Sequence, residues 1–332
     1  MNSNIRWQQH DVPGVWIGEA PGFDAASQPT MAVSGGVHGN EKTGIHVVNE
    51  LVNGTSGLNL DAGRIIAIHG NLEAMGMGTD GQRATVPGLN LNRYFRELDA
   101  KYAHMDPKDR PYEVRRAQEL MEKVLNNLDE DPSLRPEALV DIHDFKDPNG
   151  PVFMITEPYF GLYGRHDNSD GFGIARAIGG PKISSGWKEA DKGGSDGWMT
   201  ELGRIGICIE AGYQKSSQAT KDYGHGAVAR LAVEMGMLDA NLQPLFIEQG
   251  EPVFIHNEGP HIRQTDQPYK LLLPEHLRQT FTPIPEGEDI ALMDGEIYVA
   301  PKGKLIIFPE VDAPVGTEAF YYAHEYDPRQ AA

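Results

Sequence analysis

Three features of this sequence predict an α/β fold, a central sheet packed by helices on both faces, followed by a smaller β-rich part. Strand-like apolar runs alternate with helix-like amphipathic runs as far as about residue 238. From about residue 240 the chain changes to short apolar segments broken by Gly, Pro and Asp. A length of 332 residues is also long for one compact core and suits two.

The expected strands are MAVSGG, RIIAIHG, ALVDIHD, VFMIT and IGICIEAG, and the expected helices are GIHVVNELV, YEVRRAQELMEKVLNNL and HGAVARLAVEMGML. In the tail, EPVFIHNEG and EDIALMDGEIYVAPKGKLIIFP read as short strands and turns, which places a boundary at 239–246 and divides the chain into 1–240 and 241–332. No repeats or low-complexity tracts interrupt the pattern.

Composition narrows the function classes. Hydrophobic content of 39% and charged content of 23% describe an ordinary soluble globular chain. Cys208 is the only cysteine, so no intramolecular disulfide can form. The first residues lack a basic start and an apolar h-region, and no apolar run is long enough to cross a bilayer, so the expectation is a cytoplasmic protein with no membrane partner. A net charge of −19 argues against a nucleic-acid partner, because phosphates need clustered Lys and Arg. A small anionic substrate would meet the same repulsion, so its site needs a local positive cluster. Adaptation of the surface to salt accounts for the acidity equally well.

The chemistry starts at SGGVHGNEKTG, where His38 and Glu41 stand three residues apart between a strand and a helix. Both residue types ligate zinc, and loops at the C-terminal ends of strands are where open α/β sheets place their sites. The glycines allow a sharp bend and keep side-chain bulk away. ALVDIHDF supplies a second part: strand alternation puts Asp141 and His143 on one face, as a ligand and the carboxylate that fixes its tautomer. A capped strand end with a solvated histidine is the plainer reading of that segment. Arg83 and the pair Asn92–Arg93 follow in GQRATVPGLNLNRYF, and Glu210 ends the strand of IGICIEAGY.

In this order, GGVHGNE, an upstream Arg, LNR, DIH and ExG resemble the succinylglutamate desuccinylase/aspartoacylase family, a branch of the zinc-carboxypeptidase fold. The resemblance covers about residues 34 to 212. It implies a mixed central sheet and a smaller C-terminal domain that covers the cleft. It further implies one zinc per chain on His38, Glu41 and His143, with Glu210 as general base and acid. Arg83 would polarise the scissile carbonyl, and Asn92 with Arg93 would hold a substrate carboxylate.

Elementary chemistry agrees with those roles. Zinc acidifies its water to a pKa of about 7 and a neighbouring carboxylate can take the proton. A cation aimed at the tetrahedral oxyanion stabilises it, and an arginine fork matches a carboxylate. The implied activity is removal of an acyl group from a small anionic N-acyl amino acid. The only other partner the sequence leaves open is a second copy of the chain. The alternatives are a carboxypeptidase-like peptidase acting on short peptides, and a non-catalytic relative that binds a small ligand; an intact Glu210 argues against the latter.

This chain departs from the family pattern at Asn90, where members usually carry Asp, and that departure loosens the expected hold on Arg93. Pro87 and Gly88 lengthen the segment before Asn92. Tyr163, Arg165 and Arg176 are candidates for the rest of the substrate, against the plainer reading of solvated charges. GGSDG around Ser195 matches a nucleophile elbow in form, but WKEADK before it is no apolar strand. Cys208 and His46 read as core residues, Arg115 and Arg116 as a solvated helix face with i,i+4 pairs. The glycine-rich turn lacks the Lys-Ser/Thr of a phosphate loop.

Overall fold

The computed structural model describes residues 3–126, 135–145, 152–156, 171–187, 193–213, 217–239 and 251–327. Among these, strands β1 (Arg6–Gln9), β2 (Val15–Glu19), β3 (Thr30–Gly35), β4 (Arg64–His69), β5 (Ala138–Phe145), β6 (Phe153–Ile155), β7 (Lys182–Ser185) and β8 (Ile205–Tyr213) build the first part of the sheet. The tail adds β9 (Val253–Ile262), β10 (Lys270–Leu271), β11 (Thr282–Pro283), β12 (Asp289–Met293), β13 (Glu296–Val299), β14 (Leu305–Ile307) and β15 (Glu318–Glu325).

The order β1-β2-β4-β3-β5-β8-β6-β7-β9-β15-β14-β11 makes one mixed sheet, and β10-β12-β13 a separate small one. Strands β3, β4, β5 and β8 run parallel, β6 is antiparallel to β8, and β7 is parallel to both β6 and β9. Four tail strands therefore continue the main sheet. The expected boundary at 239–246 lies, apart from Asp239, outside the described residues.

Helices cover both faces because the central strands are apolar on both. Met31 and Val33 of β3, with Val140 and Ile142 of β5, pack with Val47, Val48 and Leu51 of helix α1 (Lys42–Val52) in one core. Ala32 and Leu139 point the other way, toward Ala117 and Leu120 of the helix Tyr112–Leu120 and toward Trp198 and Met199. Continuous apolar runs of this kind mark strands buried on both sides. Leu271, Ile290, Ile306 and Phe320 form a separate core in the tail, and a fourth cluster joins the two parts through Phe153, Trp187, Leu305 and Tyr321. No helix among the described residues is long and apolar enough to cross a membrane.

Two expectations are corrected by burial. Arg116 is 3% exposed and not on a solvated face: it donates to the carbonyls of Pro13, His69 and Gly70 beside its ion pair with Glu119. A guanidinium is the one side chain with enough fixed donors to satisfy three carbonyls at a strand end. His46 is half-buried rather than a core residue, and burial lowers its pKa. Arg115 remains on the exposed face, and Cys208 is buried as expected.

Candidate metal centre

The turn after β3 is built by glycine. Gly36 adopts φ +72°, the left-handed region that bends the chain at little steric cost for glycine. A Cβ on Gly35 would overlap the backbone of Gly44, so glycine at 35 lets α1 pack directly on the strand. His38 and Glu41 thereby land beside the end of β5, where His143 lies. Asp144 completes the joint from the other side: its Oδ2 accepts from Thr43 N at 2.9 Å and caps the first turn of α1, whose Glu41 N-cap makes no side-chain cap bond. Burial raises Asp144 to a pKa of about 6.

His38, Glu41 and His143 are all buried, and their ligand atoms lie within 4.8 Å of one another, so the group can hold a metal ion. Each imidazole turns Nδ1 to one Glu41 oxygen, His38 at 2.7 Å and His143 at 2.8 Å. The far nitrogens are also held. His38 Nε2 lies 2.9 Å from Asn90 Oδ1, and His143 Nε2 lies 3.1 Å from Asp141 Oδ2.

Hydrogen-bond roles then set the tautomers. Asn90 Oδ1 also accepts from Asn92 N at 2.9 Å, and Asp141 Oδ2 accepts from Ser195 Oγ at 2.6 Å, so both oxygens are acceptors. Both Nε2 atoms therefore act as donors, which leaves the two Nδ1 atoms at Glu41 as the positions a metal would take, in place of any proton they share with the Glu41 carboxylate. Two neutral imidazoles and a carboxylate with anchored outer partners are the donor set of a catalytic zinc site. The residues present fit the group.

The electrostatics reflect crowding of charge. Burial pulls the His38 pKa down to about 4, with the Arg83 cation adding to the effect. Burial also works to lower His143, but the Asp141 and Glu41 carboxylates outweigh it and hold the imidazole well above its ordinary pKa. Glu210 stands opposite His143 in the β5–β8 register. Burial pushes its carboxyl up to about 8, Glu41 adding to the shift while His143 and Arg83 oppose it.

A cleft of about 1450 Å³ opens over this group, lined by Arg83, Asn92, Arg93 and Glu210 and, from the tail, by residues including Phe308, Glu318 and Tyr321. Arg83 Nη1 lies 3.4 Å from Glu41 Oε1. Its loop is pinned two residues on, where Glu113 accepts from Thr85 N at 2.6 Å and from Thr85 Oγ1 at 3.0 Å. Asn92 and Arg93 lie on a 3-10 turn capped by Asn90. Asn92 Oδ1 accepts from Ser195 N at 3.1 Å, and Arg93 donates to the Asn92 carbonyl at 2.9 Å and to Glu318 at 3.3 Å.

The sequence-predicted residues thus converge, with exceptions. Arg176 lies outside the cleft, over the Phe254 ring and 3.8 Å from Glu251. Tyr163 and Arg165 lie outside the described residues. The Asn90 side chain meets His38, while its backbone carbonyl accepts from Arg93 N at 3.0 Å. Sequence reasoning misses Ser195 and Glu318, whereas Asp144 adjoins His143 in ALVDIHDF and is the next candidate base after Glu210. Ser195 had a visible signal in the GGS turn before a helix, yet nothing in the sequence says that it faces Asp141.

A family model for the succinylglutamate desuccinylase/aspartoacylase catalytic domain matches residues 27–231. Among solved structures, succinylglutamate desuccinylase from Vibrio parahaemolyticus is similar at TM-score 0.70 and 16% identity, covering 98% of this chain and 89% of that one. The enzyme of that name from Chromobacterium violaceum gives TM-score 0.65 at 17% identity, over 95% and 89% of the two chains. The product-bound ectoine utilization protein EutE (DoeB) from Ruegeria pomeroyi gives 0.63 at 17% identity, over 98% and 100%. A search of curated protein sequences gave no match. The structural likenesses establish the fold, and the model match covers well over half of the chain: it belongs to the succinylglutamate desuccinylase/aspartoacylase family.

Proposed function

We propose that this protein is a zinc-dependent amidohydrolase that removes the acyl group from a small N-acylated amino acid carrying a free carboxylate. The observation that carries the reading is the pairing of His38 and His143, each with Nε2 anchored and Nδ1 turned to Glu41. Bound zinc supplies Lewis acidity, polarising an amide carbonyl and acidifying a water.

The chain's own residues do the rest. The Glu210 carboxyl has no hydrogen-bond partner among the described residues, and its raised pKa suits a group that must both take and return a proton. It removes the proton of the attacking water and delivers it to the departing amine nitrogen. Arg83, half-exposed beside Glu41, donates to the oxygen on which negative charge develops. Asn92 and Arg93 hold the substrate carboxylate. The tail, taken as a second domain from residue 241, narrows the cleft with residues such as Phe308 and Tyr321, which favours small substrates over folded chains.

The decisive experiment combines metal analysis with a panel of N-acetyl-, N-succinyl- and N-formyl-amino acids set against dipeptides and an unfolded protein. About one zinc per chain is expected, as a three-ligand catalytic site implies. Activity should be lost on chelation, restored by zinc, and confined to the acylated amino acids. A fully active metal-free preparation would overturn the zinc reading. Efficient digestion of the unfolded protein would favour the peptidase.

A further inference from the structure

Glu318 is the first residue of β15, 225 positions along the chain from Arg93, and it brings a carboxylate into the cleft. Its Oε1 lies 3.3 Å from Arg93 Nη2, with the two side chains 27% and 32% exposed. Among the described residues no other cation pairs with Glu318. The other terminal nitrogen of Arg93 donates to the Asn92 carbonyl. The forked end of the guanidinium, the part that grips a carboxylate with two hydrogen bonds, is thus engaged before any ligand arrives.

The neighbours of Glu318 fix where it stands. Ala319 and Phe320 are fully buried in the tail core, and Glu318 itself is in register with Ile262 of β9. The backbone cannot retreat without unpacking that core, so only rotation of the side chain moves the carboxylate. One guanidinium carries one charge, and a second carboxylate brought to it meets the first at short range.

The geometry assigns Glu318 as an internal counter-carboxylate that occupies Arg93 in the free enzyme and must be displaced by the carboxylate of a ligand, which makes it a determinant of specificity. The assignment rests on the proposed role of Arg93. Its consequence is that the enzyme discriminates less between free and capped carboxylates than Arg93 alone would. An ion pair this exposed holds back ligand binding by a factor of up to about five.

The test is calorimetric binding of N-acetyl-L-alanine, which has one carboxylate, and of its carboxamide to the zinc-loaded protein, in a Glu210→Gln background that prevents turnover. Adding Glu318→Gln should tighten the acid about three- to five-fold and leave the amide unchanged, since the pair between Glu318 and Arg93 no longer opposes it. Glu318→Ala should shift the acid in the same direction. Unchanged or weaker binding of the acid in both variants overturns the inference, the weaker case showing that Glu318 positions Arg93 for the ligand. Arg93→Ala in the same assay separates the two claims. If it erases the preference for the acid while Glu318 variants are silent, the carboxylate reading stands and only the role of Glu318 falls.

Discussion

Asn90 Oδ1 and His38 Nε2 are 2.9 Å apart, on the side of the imidazole facing away from Glu41. A neutral amide therefore anchors one candidate ligand where His143, the other, is anchored by the carboxylate of Asp141. The amide fixes the tautomer but adds little basicity to the ring. Asn90→Asp should strengthen zinc binding by roughly ten-fold, and Asn90→Ala should weaken it by a similar factor, as measured by competition with a chromophoric chelator. Equal affinity in all three proteins would show that the contact does not tune the site.

Ser195 extends the other anchor, donating from Oγ to Asp141 Oδ2 at 2.6 Å. Removing the hydroxyl leaves Asp141 short of a donor in a buried position, at a cost of about 1–3 kcal/mol. Ser195→Ala should lower thermal stability and reduce zinc affinity, while the metal-saturated variant keeps most of its turnover. A variant with normal metal binding and abolished turnover would instead give Ser195 a chemical role.

Zinc binding should release protons. The Asp141 and Glu41 carboxylates hold His143 above its ordinary pKa, so without metal it is a cation at neutral pH and must lose its proton to ligate. Protons therefore compete with zinc below that raised pKa. Apparent affinity should rise with pH by about ten-fold per unit while one proton is displaced. Titration calorimetry at pH 7 in buffers of different ionisation enthalpy should count at least about one proton released, Glu210 adding to it because its carboxyl is raised to about 8. A flat affinity from pH 6 to pH 8 would contradict a protonated His143.

Glu210→Gln preserves shape and removes the base. Zinc and substrate should still bind, while kcat falls at least ~10²-fold. Near-normal turnover would require another base. Asp144 adjoins the site and is raised to about 6, although its engagement with Thr43 N makes it a poor one.

Arg93 and Arg83 should fail differently. Loss of a charge-assisted contact to a carboxylate costs about 1.5–3 kcal/mol, so Arg93→Ala should cost roughly ten- to a hundred-fold in kcat/KM for free carboxylates and little for amide-capped analogues. Arg83→Ala should slow both alike, because charge develops on the carbonyl oxygen of every substrate. If Arg93→Ala slowed both kinds equally, Arg93 would be supporting the site rather than reading the ligand.

What the sequence by itself determined is whatever neighbours in the chain decide. Alternation along ALVDIHDF puts Asp141 and His143 on one face, and their 3.1 Å contact follows from that spacing. The apolar runs of β3, β5 and β8 fix strands buried on both sides, and the turn at Gly36 fixes where His38 and Glu41 leave the sheet. The tertiary structure decided what depends on partners far along the chain. Arg116 reads as a surface charge until three carbonyls from residues 13, 69 and 70 surround it. Asn90 reads as a missing carboxylate for Arg93 until the fold brings His38 to it across 52 positions. Glu318 is one acid among many in an acidic chain, and only the pairing of β15 with β9 carries it to Arg93. A polar side chain's role is set by the charge and donors that face it, and those arrive with the fold.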